Sequence, residues 1–121
     1  MSPQNAGAVA WGLGIEAHSI PPDIIDKLKQ QAAMPDSRCT IAYLKLFTPD
    51  AGATWWISEW HEIEGIVSLF GLCDLGMGFP ELGYVSLKEL MIIRGRVGLP
   101  IERDLWWKPT SLDKVIAKYG R

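Results

Sequence analysis

With 121 residues, 48% of them hydrophobic and 21% charged, the chain can bury a core without a metal or disulfide staple and is too apolar to be disordered. A net charge of −2 gives no overall basic field for gripping nucleic acid, although a local patch stays open. No apolar run approaches the roughly 18 residues of a membrane span, and MSPQNAGAVAWGLG lacks the basic start of a signal peptide, so a cytoplasmic location is expected.

Residues 1–18 are rich in small side chains around one anchor, Trp11, and read as an N-terminal arm. Within it AVAWGLGI can add an edge strand to a sheet. Residues 19–121 read as one domain. Ile20-Pro21-Pro22-Asp23 opens the first helix, since proline is pre-set for a first turn and Asp23 suits the positive helix end. Ile24, Ile25, Leu28 and Ala32 recur at helical spacing, and Met34-Pro35-Asp36 ends the pattern.

Three strands follow. TIAYLKLF (40–47) puts Ala42, Leu44 and Leu46 on one face by strict alternation. After the turn Thr48-Pro49-Asp50-Ala51-Gly52, the segment TWWISEWH (54–61) places Trp56, Ser58 and Trp60 on one side. Trp55, Ile57, Glu59 and His61 then face the other way. IVSLFGLCDLG (66–76) is apolar on both faces and is expected to be central. The short connections require an antiparallel meander. A short fourth strand is expected near Leu82 to Val85.

Ser86 and Glu89 form a capping box, followed by Leu87, Leu90, Met91 and Ile92 or Ile93, with Gly95 as the stop. A last helix starts from Thr110, with Asp113 at its third position. Leu112, Val115, Ile116 and Tyr119 form its apolar face, and Gly120 ends it. The expected fold is α+β: a single domain with an antiparallel sheet of about four strands and helices packed on one face.

Two features draw attention as sites. RGRVGLPIERD supplies Arg94, Arg96, Arg103 and Asp104 around two glycines. Such a loop can hold a phosphate or carboxylate if backbone N–H groups approach it, but no Walker pattern is present. The structural alternative caps a helix with Gly95 and plugs Leu99 and Ile101 into the core. It pairs Arg103 with a carboxylate such as Glu81 or Glu89, and the balance favours this fastened connection.

Trp55, Trp56, Trp60, Trp106 and Trp107 are a heavy indole load for so small a core. Neighbours on a strand point to opposite faces, so one of Trp55 and Trp56 must leave the main core. The surplus reads either as a partner surface, since tryptophan dominates interface hot spots, or as a second layer under the last helix and the arm. Base stacking is the nucleic-acid variant.

Glu59 and His61 share a strand face but lack further converging metal ligands. Asp74 suits a strand end. Cys39 and Cys73, the only cysteines, read as buried or half-buried thiols. No cofactor, metal or catalytic residue is assigned.

YLKLFTPDAGATWWISEW, FGLCDLGMGFPELGYVSLKEL and RGRVGLPIERDLWWKPTSLDKV together resemble a family of small bacterial proteins that carries a domain-of-unknown-function label. Its pattern is F-x-P followed by W-T-W-Y, then E-L-G-Y-F-S-L-x-E-L and R-G-x-x-G-L-P-x-E-R-D-x-x-F-x-P. The match runs over about residues 20–116. Trp106-Trp107 departs from the family's usual tyrosine and phenylalanine, and neither WHEIEG nor the first 18 residues match.

The resemblance implies cargo of plasmids, phages and conjugative elements, near anti-restriction or DNA-handling genes, and brings no catalytic residue. The resulting expectation is a non-enzymatic accessory that binds a protein partner in counter-defence, of the anti-restriction or anti-CRISPR type. The alternatives are a nucleotide- or phosphate-ligand-binding protein or enzyme built on the Arg94–Asp104 loop, and a single-stranded nucleic-acid binder using exposed tryptophans. A homodimer through the arm is a further expectation.

Overall fold

The computed structural model describes residues 9–10, 19–34 and 40–119. Trp11, Cys39 and the terminator Gly120 lie outside them. The first described strand, β1 (Val9–Ala10), pairs antiparallel with β2 (Ser19–Ile20), so this part of the arm adds its strand to a two-stranded ribbon.

Helix α1 (Pro22–Ala32) carries Pro22 and Asp23 in its first turn and buries Ile25, Leu28 and Gln31. The expected strand over 40–47 is interrupted. β3 (Ile41–Ala42) pairs with β9 (Thr110–Ser111), and β4 (Leu44–Phe47) enters the main sheet. The break at Tyr43 sends Ala42 to a different cluster from Leu44 and Leu46.

β5 (Thr54–Ile63) and β6 (Ile66–Asp74) form a long hairpin. Its turn is Glu64-Gly65, with φ of 53° and 80°, the positive pair that a two-residue I′ hairpin demands. β7 (Glu81–Ser86) pairs with β6, and β8 (Glu102–Arg103) pairs with β4. The main sheet is thus five-stranded and antiparallel, in the order β7-β6-β5-β4-β8. It has one strand more than expected, because the short β8 hides inside the RGRVGLPIERD connection.

The register of the hairpin corrects the face assignment of β5. Ile57 pairs with Gly71, but Glu59 pairs with Phe70, so Ser58 is a surplus bulge residue. Beyond it the alternation shifts. Trp55, Ile57 and Trp60 therefore point to one face, and Trp56, Glu59 and His61 to the other. Gly71 lies opposite this irregularity, where any Cβ would overlap the Trp56 carbonyl oxygen.

Helix α2 (Leu87–Ile92) joins α1 on the first face, where Leu87 and Leu90 pack with Ile25, Leu28, Leu44, Trp55, Ile57 and Leu69. Ser86 caps it by accepting from the Glu89 N–H at 3.3 Å, as the capping box requires. Helix α3 (Leu112–Tyr119) covers the opposite face, where Leu112 and Val115 pack on Ala42, Trp56 and Leu72. The expectation of helices on one face holds for two of the three. The bulk of Trp56 on the second face gives α3 its own apolar floor. Its cap is Ser111, whose Oγ accepts from Lys114 N–H, one residue later than expected.

Candidate functional site

The five tryptophans separate cleanly. Trp55 and Trp60 are buried in the larger core, and Trp56 is buried in the smaller one, stacked on Tyr119 at 5.1 Å. The adjacent pair 55 and 56 does split between two faces, and the second layer under α3 takes one ring. Trp107 is half-buried, with its indole N–H donating to the Ala42 carbonyl at 2.8 Å. Trp106 alone of the five stands in solvent, 90% exposed.

Trp106 is held in place although its ring is free. The Asp104 carboxylate accepts from the Trp106 N–H at 2.9 Å, and the Asp104 carbonyl accepts from the Trp107 N–H at 3.2 Å. The Asp104 N–H in turn donates to the Lys45 carbonyl at 2.9 Å. Lys45 Nζ sits 3.4 Å from the Asp104 carboxylate and 5.5 Å from the Trp107 ring centre. Ion pair, cation–π contact and turn together fix one short segment. A shallow depression of about 290 Å³ beside it is lined by Phe47, Glu102, Arg103, Leu105 and Trp106. A second, of about 350 Å³, is lined by Lys45, Thr54, Phe47 and Asp104.

The loop arginines do not converge. Arg94 Nη1 donates to the carbonyls of Met91 and Ile93 at 3.0 and 2.8 Å, closing the end of α2. Arg96 is exposed, and neither it nor Arg94 lines the depression beside Arg103. Arg103 Nε donates to the Ser19 carbonyl at 2.8 Å, tying β8 to β2.

The backbone amides that could cradle a phosphate are already engaged. The Asp50 carboxylate accepts from Val97 N–H at 2.7 Å and, at a long 3.5 Å, from Leu99 N–H. A Cβ at Gly95 would overlap the Asp50 carboxylate, so any other residue there has to push it aside. The turn between β4 and β5 therefore supplies the anion that this loop holds. Ile101 is fully buried as expected, whereas Leu99 is 42% exposed and does not plug the core.

Glu59 and His61 do share a face, and they form a pair at 2.7 Å with Glu59 buried. Among the described residues no three His, Cys, Asp or Glu side chains gather as a metal site needs. The Asp74 carboxylate accepts from the Gly76 N–H at 2.8 Å and so closes a turn. Burial pushes the Cys73 thiol above its ordinary value.

One surface was missed in the sequence. Leu75, Met77, Phe79, Leu82 and Tyr84 are 50–77% exposed along β7 and the loop before it. A depression of about 400 Å³ lies among them. The signal was the loop LGMGFP itself, which carries three large apolar side chains where turn chemistry favours polar ones.

The fold and this surface define a small α+β domain with an ordered exposed indole and no converged catalytic group among the residues proposed for one. A family model described as a protein of unknown function (DUF2958) matches residues 20–119, so the chain belongs to that family. No curated protein and no solved structure matches it. Among the described residues no helix is long and apolar enough to cross a membrane.

Proposed function

We propose that the protein is a non-enzymatic binding module that docks a protein partner through Trp106. In this reading it serves a bacterial mobile genetic element in the cytoplasm as a counter-defence accessory. The observation that carries the proposal is the 90% exposure of an indole whose backbone is fixed by Asp104. An exposed, pre-ordered tryptophan loses little freedom on binding and buries a large area, which is how hot spots arise. Phe47 and Leu105 flank it on the apolar side, and Glu102 and Asp104 supply a polar rim.

Two other readings receive less support. A phosphate ligand at the Arg94–Asp104 loop has to displace Asp50 from the Val97 amide. A nucleic-acid strand stacking on Trp106 is offered little basic surface, since the chain's net charge is −2 and neither Arg94 nor Arg96 lines the depression beside the ring.

The test compares wild type with Trp106→Ala in three assays. Transformation of a restriction-proficient host by unmodified plasmid is expected to rise with the wild-type gene and not with the variant. Cross-linking in such cells is expected to join wild type, and not the variant, to a defence protein. Tryptophan emission on adding oligonucleotide at low salt is expected to stay unchanged. Equal transformation with and without the gene removes the counter-defence reading. Cross-links unaffected by Trp106→Ala remove this docking site.

A further inference from the structure

β7 is an edge strand. Among the described residues its only strand partner is β6, so its outward N–H and C=O groups face away from the sheet. Proteins commonly protect such an edge with a lysine, a proline, a bulge or extreme shortness. β7 has six residues, ELGYVS, with an unbroken register from Glu81 to Ser86 and neither lysine nor proline inside it. Leu82 and Tyr84 share one face of this strand, and Leu75, Met77 and Phe79 extend the same exposed apolar region. The five, each half or more exposed, form a contiguous apolar patch of the order of a few hundred Å², the size at which such a patch often marks an interaction site.

Gly83 sits in the middle of β7. Its partner across the ladder, Gly71, is explained by the Trp56 carbonyl oxygen that a Cβ would strike. At Gly83 nothing in the described residues lies within 4 Å of a Cβ position, and its φ is not in the left-handed region. A mid-strand glycine costs about 0.5–1 kcal/mol and often marks close approach by another backbone. The described chain supplies no such neighbour.

We infer that β7 is a dimer seam, where a second copy of this chain lays its own β7 antiparallel about a two-fold axis at Gly83. The axis sets Gly83 opposite Gly83, and Leu82 opposite Tyr84 of the second copy, because directly opposed residues share a face. The two five-stranded sheets become one continuous sheet. Charge is self-complementary as well. Glu81 opens the strand and exposed Lys88 follows its end, so antiparallel copies bring Lys88 of each towards Glu81 of the other. A two-fold contact doubles each of these matches, which a single unrelated strand cannot do.

The experiment is a mass measurement on the purified protein alone, which separates it from docking at Trp106. Sedimentation equilibrium is expected to give about twice 13.5 kDa at micromolar concentration. Leu82→Lys and Tyr84→Lys are each expected to raise the dissociation constant roughly 30-fold or more. Trp106→Ala and removal of residues 1–18 are expected to leave it unchanged. Gly83→Cys, in a chain with Cys39 and Cys73 replaced by serine, is expected to oxidise to a covalent dimer, since opposed Cα atoms lie ~4.5–5.5 Å apart. A monomer at every concentration overturns the inference. So does a dimer that tolerates both lysines, one that is lost with residues 1–18, or a Gly83→Cys chain that stays uncrosslinked.

Discussion

Gln31, near the end of α1, donates its side-chain amide to the Ser58 carbonyl at 2.6 Å, across 27 residues of sequence. The same amide group donates to the Ile41 carbonyl at 2.9 Å, and its oxygen accepts from the Ile41 N–H at 2.8 Å. The β5 bulge and the break after β3 both disturb the ladder here, and one buried side chain satisfies the groups that the disturbance frees.

Replacing Gln31 by leucine leaves three backbone groups without these partners. Each buried orphan costs about 1–3 kcal/mol before relaxation, so a loss of about 2–4 kcal/mol is expected in urea unfolding. Gln31→Glu is expected to fare little better, because an ionised carboxylate cannot donate to either carbonyl. A change below about 0.5 kcal/mol for Gln31→Leu refutes this account.

Asp50 fastens the loop over 95–99. Asp50→Ala is expected to cost about 1–2 kcal/mol, at the low end for a charged acceptor because the contact is partly exposed. The Val97 amide is expected to exchange faster with deuterium than in wild type, while the Leu69 amide in the central strand changes only as far as global stability falls. Gly95→Ala is expected to produce the same local signature by pushing the carboxylate aside. Unchanged exchange at Val97 in both variants refutes the arrangement.

Trp106 and Trp107, adjacent in sequence, are expected to behave oppositely. Trp106→Ala is expected to leave stability within about 0.5 kcal/mol, as exposed positions usually do. Trp107→Phe loses the bond to the Ala42 carbonyl and is expected to cost about 1–2 kcal/mol. Trp106→Phe is expected to shift the mean emission to shorter wavelength, because it removes the most exposed of these indoles. Denaturation midpoints and emission spectra of the three variants check the contrast.

Burial raises the Cys73 pKa, so the folded chain holds this thiol proton more tightly than the unfolded chain. The stabilising contribution is complete below the unfolded thiol value and is lost as pH rises above it, towards the folded value. Above about pH 8.5, wild type is expected to lose more stability with rising pH than Cys73→Ala. In a Cys39→Ser background, Cys73 is also expected to react slowly with a thiol reagent at neutral pH until urea is added. Rapid labelling in the native state contradicts this.

The helices and the meander were legible because amphipathic spacing, the Ser86 cap and the short turns are local signals. The faces of Glu59, Trp60 and His61 were misread because alternation was carried through Ser58 without a break, and the third helix left the expected side because Ala42, Trp56 and Leu72 give it an apolar floor on the other face. A bulge leaves no mark in TWWISEWH, since its cause lies elsewhere, in the fit between Gly71 and the Trp56 carbonyl and in the reach of Gln31. Of the five tryptophans, Trp106 is the one left in solvent, and the sheet accounts for most of the others. Two apolar layers, one on each side of the sheet, hold more indole than one core does. The Arg94–Asp104 stretch was legible as a fastened connection, but its main fastener, Asp50, lies 47 residues from the amide that it holds.

Ser58 is a spacer rather than a contributor to either layer. Excising it would straighten the hairpin while every later side chain of β5 kept its side, at the cost of the Gln31 contact. Inserting one more residue beside it, with the bulge kept, would instead exchange the two sides, driving Glu59 and His61 towards the larger core and Trp60 out of it. Length at this single point sets which half of the strand's chemistry is wet.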